Sequence, residues 1–92
     1  MSLFTYHQDP GHGWIEVPLS LLEELGITEQ ISSCSYHSIT GPKPVVYLEE
    51  DMDAGTFIEA AKAAGIDLDY KVEHTNTDHW IRNLPSWPEA QS

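Results

Sequence analysis

Apolar positions along this chain switch between a period of two and a helical period, and they do so twice. From Trp14 to Val17, Ile15 and Val17 alternate with Trp14 and Glu16, the pattern of a strand with one buried face. Leu19, Leu21, Leu22 and Leu25 then predict a short helix. Pro18 sits where a first turn tolerates a missing N–H, Ser20 and Glu23 stand at capping-box spacing as a competing start, and Gly26 supplies a left-handed stop. In the second unit Val45 to Glu50 reads as a strand, and Asp51 or Asp53 offers an N-cap carboxylate. The helix that follows runs over 52–64, with Phe57, Ile58, Ala61 and Ala64 on one stripe, Glu59 and Lys62 outward, and Gly65-Ile66 closing it in a Schellman-type contact. Its alanines imply close approach to a sheet.

Two more strands complete the pattern. Ile66, Leu68, Tyr70, Val72 and His74 alternate with Asp67, Asp69, Lys71 and Glu73, predicting one buried and one solvated face. Ile31 to Ser38 is serine-rich and weaker, but the turn signal "TGPKP" behind it predicts a hairpin with Val45 to Glu50. With strands near 13–17, 31–38, 44–50 and 66–74, the order is βαββαβ. The fold class expected is α+β: a ferredoxin-like or similar small antiparallel sheet with one or two helices on one face. A three-stranded sheet with one long helix is the alternative. Leu3 to Tyr6 offers an edge strand, and residues 75–92 read as an irregular tail whose Trp80 and Trp87 carry too much apolar area to leave in water.

Composition narrows the function classes. Fifteen acidic against four basic residues give a formal net charge of -11, so only Lys43, Lys62, Lys71 and Arg82 could neutralise phosphate. Direct binding of nucleic acid or anionic membrane is excluded on that ground, and the natural partners are cationic, a basic protein surface or a metal ion, unless the charge serves only to keep the domain soluble. At 92 residues the chain makes a single domain with one modest core. Its single cysteine, Cys34, cannot form an internal disulfide and reads as a buried structural thiol. With no apolar run long enough to span a membrane and no signal-peptide pattern, a cytoplasmic protein is expected.

Five histidines are more than such a chain needs. His7 and His12 flank "QDPG", and His74 and His79 flank "TNTD", so two loops could converge on a metal with Asp9 or Asp78. The spacing matches no strong metal motif, and neither a metal nor another cofactor is expected. "DPGHGW" lacks the Lys-Ser/Thr and the long helix of a phosphate loop and reads as a turn into the sheet. No serine with a matched base, no catalytic carboxylate pair and no dinucleotide fingerprint is present, which argues against an enzyme. The densest charge is Glu49-Glu50-Asp51-Met52-Asp53, where strand hands over to helix. Glu49, Glu50, Asp51 and Asp53 are the leading candidates for contact with a cationic partner, with Glu23, Glu24 and Glu29 second.

The segments "HGWIEVPLSLLEELGI", "ISSCSYHS", "VYLEEDMDAGTFIEAAKAAGI" and "IRNLPSW" resemble a widespread group of small uncharacterised proteins encoded by tailed phages and mobile elements, over most of residues 10–87. No activity comes with that resemblance, so no catalytic residue is carried over; the acidic junction continuing with Met52 and the longer, tryptophan-richer tail depart from the group. By context it implies an accessory or inhibitory protein that engages the basic surface of a host nucleic-acid-binding protein by imitating nucleic-acid charge. A small metal-binding or catalytic protein built on His7, His12, His74 and His79 is the rival, and a structural or homodimeric phage component the third.

Overall fold

The computed structural model describes residues 2–38 and 42–87. Its elements, in chain order, are β1 (Ser2–Gln8), β2 (Gly13–Pro18), α1 (Leu19–Leu25), β3 (Tyr36–Ser38), β4 (Val45–Glu49), α2 (Ala54–Ala63) and β5 (Leu68–His74), with single 3-10 turns at Thr28–Gln30 and Trp80–Asn83. The fold is α+β. The strands form one five-stranded sheet in the order β3-β4-β2-β1-β5. β2 pairs antiparallel with β1 and β4, β4 pairs antiparallel with β3, and β1 pairs parallel with β5.

Setting β1 aside, β5, β2, β4 and β3 keep the neighbour order and directions of the split βαβ arrangement. β1 is inserted between β2 and β5 and makes the sheet mixed. The edge position expected for Leu3 to Tyr6 is therefore occupied by β5 instead. That exchange explains the exposure of β5, whose Tyr70 and Val72 remain largely open to solvent although their alternation predicts a buried face. Thr40 and Gly41 of the expected hairpin turn lie outside the described residues, as do residues 88–92 of the tail.

Both helices end as their Gly-Ile pairs predict. Gly26 and Gly65 take positive φ, and Ile27 and Ile66 donate their N–H groups back to Leu22 and Ala61 at 3.1 and 2.9 Å, the Schellman closure. Phe4, Ile15, Val17, Val46 and Leu48 project from the sheet onto Leu22, Ile27, Ile31, Phe57 and Ala61, forming the main core. Each large aliphatic or aromatic side chain there contributes about 1.5–3 kcal/mol. Ala54 and Ala61 let α2 lie close to the strands.

The opposite face carries Trp14 and Tyr47, and the chain after β5 folds back across it. Ile81 is fully buried against these two aromatics, with Tyr36, Val45 and Leu84 around them. The same segment then borders β3, where the His37 N–H donates to Pro85 O at 3.0 Å, so the tail both covers a sheet face and blunts an edge. Ile31 belongs to the main core, but the residues after it form a turn, and β3 begins only at Tyr36. Cys34 consequently lies in that turn and is exposed, contrary to the buried thiol expected of a strand position.

Candidate functional site

The turn from β1 into β2 is organised by one carboxylate. Asp9-Pro10-Gly11-His12 joins β1 to β2, its ends bridged by the Asp9 N–H on His12 O at 2.9 Å, with Asp first and Pro second as tight connections prefer. Asp9 Oδ1 accepts from the N–H groups of Gly11 and His12, at 3.0 and 2.9 Å. Oδ2 accepts from the His79 N–H at 3.0 Å and from Arg82 Nε at 2.6 Å, while Arg82 Nη2 donates to Oδ1 at 3.0 Å. The Arg82 hydrogen bonds hold the buried carboxyl far below the usual carboxylate range against the opposing effect of burial, and the same bonds raise the guanidinium. Arg82 also stacks over Trp14, 5.4 Å from the ring centroid.

This clamp fixes His12 immediately before β2, two residues before Trp14 and on the same side of the sheet. The β2–β4 register places Trp14 opposite Glu49, so His12 Nδ1 comes within 3.6 Å of Glu49 Oε2. Glu49 is buried, and its Oε1 accepts from the N–H groups of Asp51 and Met52, each at 3.0 Å. On the other side of the junction the Tyr6 hydroxyl donates to Glu50 Oε1 at 2.7 Å, and burial followed by that bond pushes the phenol well above its ordinary value. Tyr6 reaches Glu50 by lying over Gly13, where a Cβ would overlap its ring.

His12, Glu49, Glu50 and Asp51 thus gather ligand-type atoms within 4.8 Å of one another. His12, Glu49 and Asp51 border an open pocket of about 400 Å³ walled by Trp14, Tyr36 and Arg82, with Cys34 and the exposed Met52 at its rim, whereas Glu50 borders the apolar hollow lined by Tyr6, Tyr70 and Val72. The segments "HGW", "CSY" and "EEDM", far apart in sequence, meet there.

The leading acidic candidates separate into two kinds. Glu50 and Asp51 are exposed, whereas Glu49 and Asp53 are buried. Asp53 stands at the N-cap position of α2 but does not cap it. Its carboxylate instead accepts from the Ser32 N–H (3.0 Å), the Ser32 hydroxyl (2.8 Å) and the Ser35 hydroxyl, tying the turn before β3 to the helix. Glu23, Glu24 and Glu29 are exposed on α1 and the turn after it.

The four histidine candidates do not converge. His7 is buried and its Nε2 donates to Glu16 Oε1 at 2.8 Å, while His79 Nδ1 accepts from the Ile81 N–H at 3.2 Å. The two rings meet edge to face with centroids 5.0 Å apart; burial, then the neighbouring His7, lowers the His79 pKa. His74 Nδ1 donates to Gln8 Oε1 at 3.2 Å. Of the two carboxylates proposed to join them, Asp9 is saturated by its own donors and Asp78 is exposed. His7 stands between Glu16 and Glu73, at 2.8 and 3.8 Å, and among the described residues it is His12 that joins three carboxylates within reach of a shared ion, those of the acidic junction. The Asp9–Arg82 clamp and the Ser35–Asp53 bond are the parts of the site that sequence reasoning missed; the Asp-Pro-Gly turn signal marked the place of the first without its partner.

No protein-family model, curated protein or solved structure matches the chain. Among the described residues, no helix is long and apolar enough to cross a membrane.

Proposed function

We propose that the protein is a binding module that docks on a basic protein surface through its exposed carboxylates. One observation carries this reading: the cations of the chain do not neutralise its surface. Arg82 is spent on buried Asp9 and Lys71 lies 3.4 Å from Glu73, while Glu23, Glu24, Glu29, Glu50 and Asp51 form no ion pair with Lys or Arg among the described residues. Surface charge left uncompensated steers encounter with an oppositely charged partner and repels nucleic acid.

Glu50 and Asp51 lead the contact set, because they are the exposed carboxylates of the junction and directly precede the exposed side chain of Met52 at the pocket rim. Glu49 and Asp53 support that rim from beneath. The resemblance to small phage and mobile-element proteins favours an accessory or inhibitory role against a host protein that itself grips phosphate. The test is capture from host lysate, with chelator present, using the natural chain and a Glu50→Gln/Asp51→Asn variant as bait. A basic partner retained by the first and lost by the second supports the proposal; equal retention overturns it.

A further inference from the structure

We propose that His12, Glu49, Glu50 and Asp51 bind a divalent transition-metal ion through one imidazole nitrogen and three carboxylate oxygens. The inference starts from an oxygen without a partner. Glu49 Oε2 is buried and makes no hydrogen bond, on a side chain only 9% exposed. Leaving a carboxylate oxygen both dry and unpaired is unfavourable, and the groups that could relieve it are already committed. Arg82, which lines the same pocket, is turned onto Asp9, and His12 Nδ1 stands at 3.6 Å, beyond hydrogen-bond reach.

That separation suits a shared cation. Two ligands each about 2.1 Å from a tetrahedral ion lie about 3.4 Å apart, close to the His12–Glu49 distance. Glu50 and Asp51, both exposed, supply the remaining atoms from within 4.8 Å and need only small side-chain rotations to close on the ion. The ligands are also oriented in advance by their own hydrogen bonds, as metal ligands commonly are. The Asp51 and Met52 amides hold the other Glu49 oxygen, the Tyr6 hydroxyl holds Glu50, and the Asp9 carboxylate holds the backbone of His12. An imidazole among the carboxylates selects a first-row transition metal over magnesium or calcium. Four protein ligands leave no open position, so the ion acts as a structural tie between the start of β2 and the β4–α2 junction.

This inference departs from the sequence expectation of no metal, because the ligand set forms only once β2 and β4 pair. It shares Glu50 and Asp51 with the docking proposal but is read on the protein alone, so either can fail without the other. The experiment is calorimetric titration of the chelator-stripped full chain with Zn²⁺, with Mg²⁺ as the comparison ion, followed by thermal melts with and without Zn²⁺. Saturable one-to-one Zn²⁺ binding is expected, with little response to Mg²⁺ and a raised melting temperature. His12→Ala, at a half-exposed position, weakens that binding by about tenfold or more, as does Asp51→Asn, whereas His74→Ala and Asp69→Asn leave it unchanged. Absence of one-to-one uptake overturns the site, and so does uptake that His12→Ala leaves intact. The second result would show that the approach of His12 to Glu49 is a simple ion pair.

Discussion

Asp9 and Arg82, separated by 73 positions, share two hydrogen bonds across the mouth of the sheet, and the carboxylate is completely buried while the guanidinium keeps part of its surface in water. The pair fastens the tail over Trp14 and shapes the turn that presents His12. Removing one partner strands a buried charge, so Arg82→Ala is expected to cost about 3 kcal/mol in urea unfolding at neutral pH.

The same pair sets an acid dependence. The folded Asp9 carboxyl lies far below its unfolded value of about 3.9, so its contribution is full above that pH and is lost as pH falls toward the folded value. Asp9→Asn should therefore be less stable than the natural protein at pH 7, with the gap narrowing below about pH 4. Paired urea curves at neutral and acid pH measure it.

Gly13 is required by Tyr6. An alanine there pushes the phenol off its path to Glu50, and Gly13→Ala is expected to destabilise by about 1–3 kcal/mol as an overpacked position does. Tyr6→Phe keeps the packing and loses one hydrogen bond, near 1 kcal/mol. Thermal melts of the two variants should rank in that order.

Ser35 joins the two buried members of the acidic junction, Glu49 and Asp53. Its hydroxyl donates to Asp53 and accepts from the Glu49 N–H at 3.0 Å, so Ser35→Ala leaves two buried groups short of a partner, at about 1–3 kcal/mol. Partner affinity of the folded fraction should be unchanged, whereas Glu50→Gln/Asp51→Asn should weaken affinity with little effect on stability. Melting and binding measured on both variants separate the two roles.

Burial and proximity to His7 lower the His79 pKa, so His79 contributes stability that is present above about pH 6.5, its unfolded value, and is lost as pH falls through the folded value. The natural protein should melt lower at pH 5.5 than at 7.5. His79→Asn, which retains an acceptor for the Ile81 N–H but does not titrate, should flatten that difference.

Local signals in the sequence specified local structure well. The Gly26-Ile27 and Gly65-Ile66 helix ends, the α2 stripe of Phe57 and Ala61, and the pairing of β3 with β4 follow from spacing and backbone preference alone. What escaped depends on distant pairing. Nothing in Leu3 to Tyr6 says that this strand lies inside the sheet, and the alternation of β5 looks half-buried because periodicity reports a face without reporting what covers it. Asp53 resembles a helix cap by position, yet Ser32 and Ser35 take its oxygens. The site was legible as an acidic junction and a histidine turn, but their meeting was not, because only the Trp14–Glu49 register brings His12 to Glu49.

Docking by uncompensated surface charge shows itself in the association rate of a captured basic partner as salt is raised. The screening length falls from about 10 Å at 0.1 M to about 3 Å at 1 M. The association rate should drop about tenfold or more over that range, with a nearly constant dissociation rate and a shallower salt slope for Glu50→Gln/Asp51→Asn. An association rate indifferent to salt and to those two substitutions would contradict it.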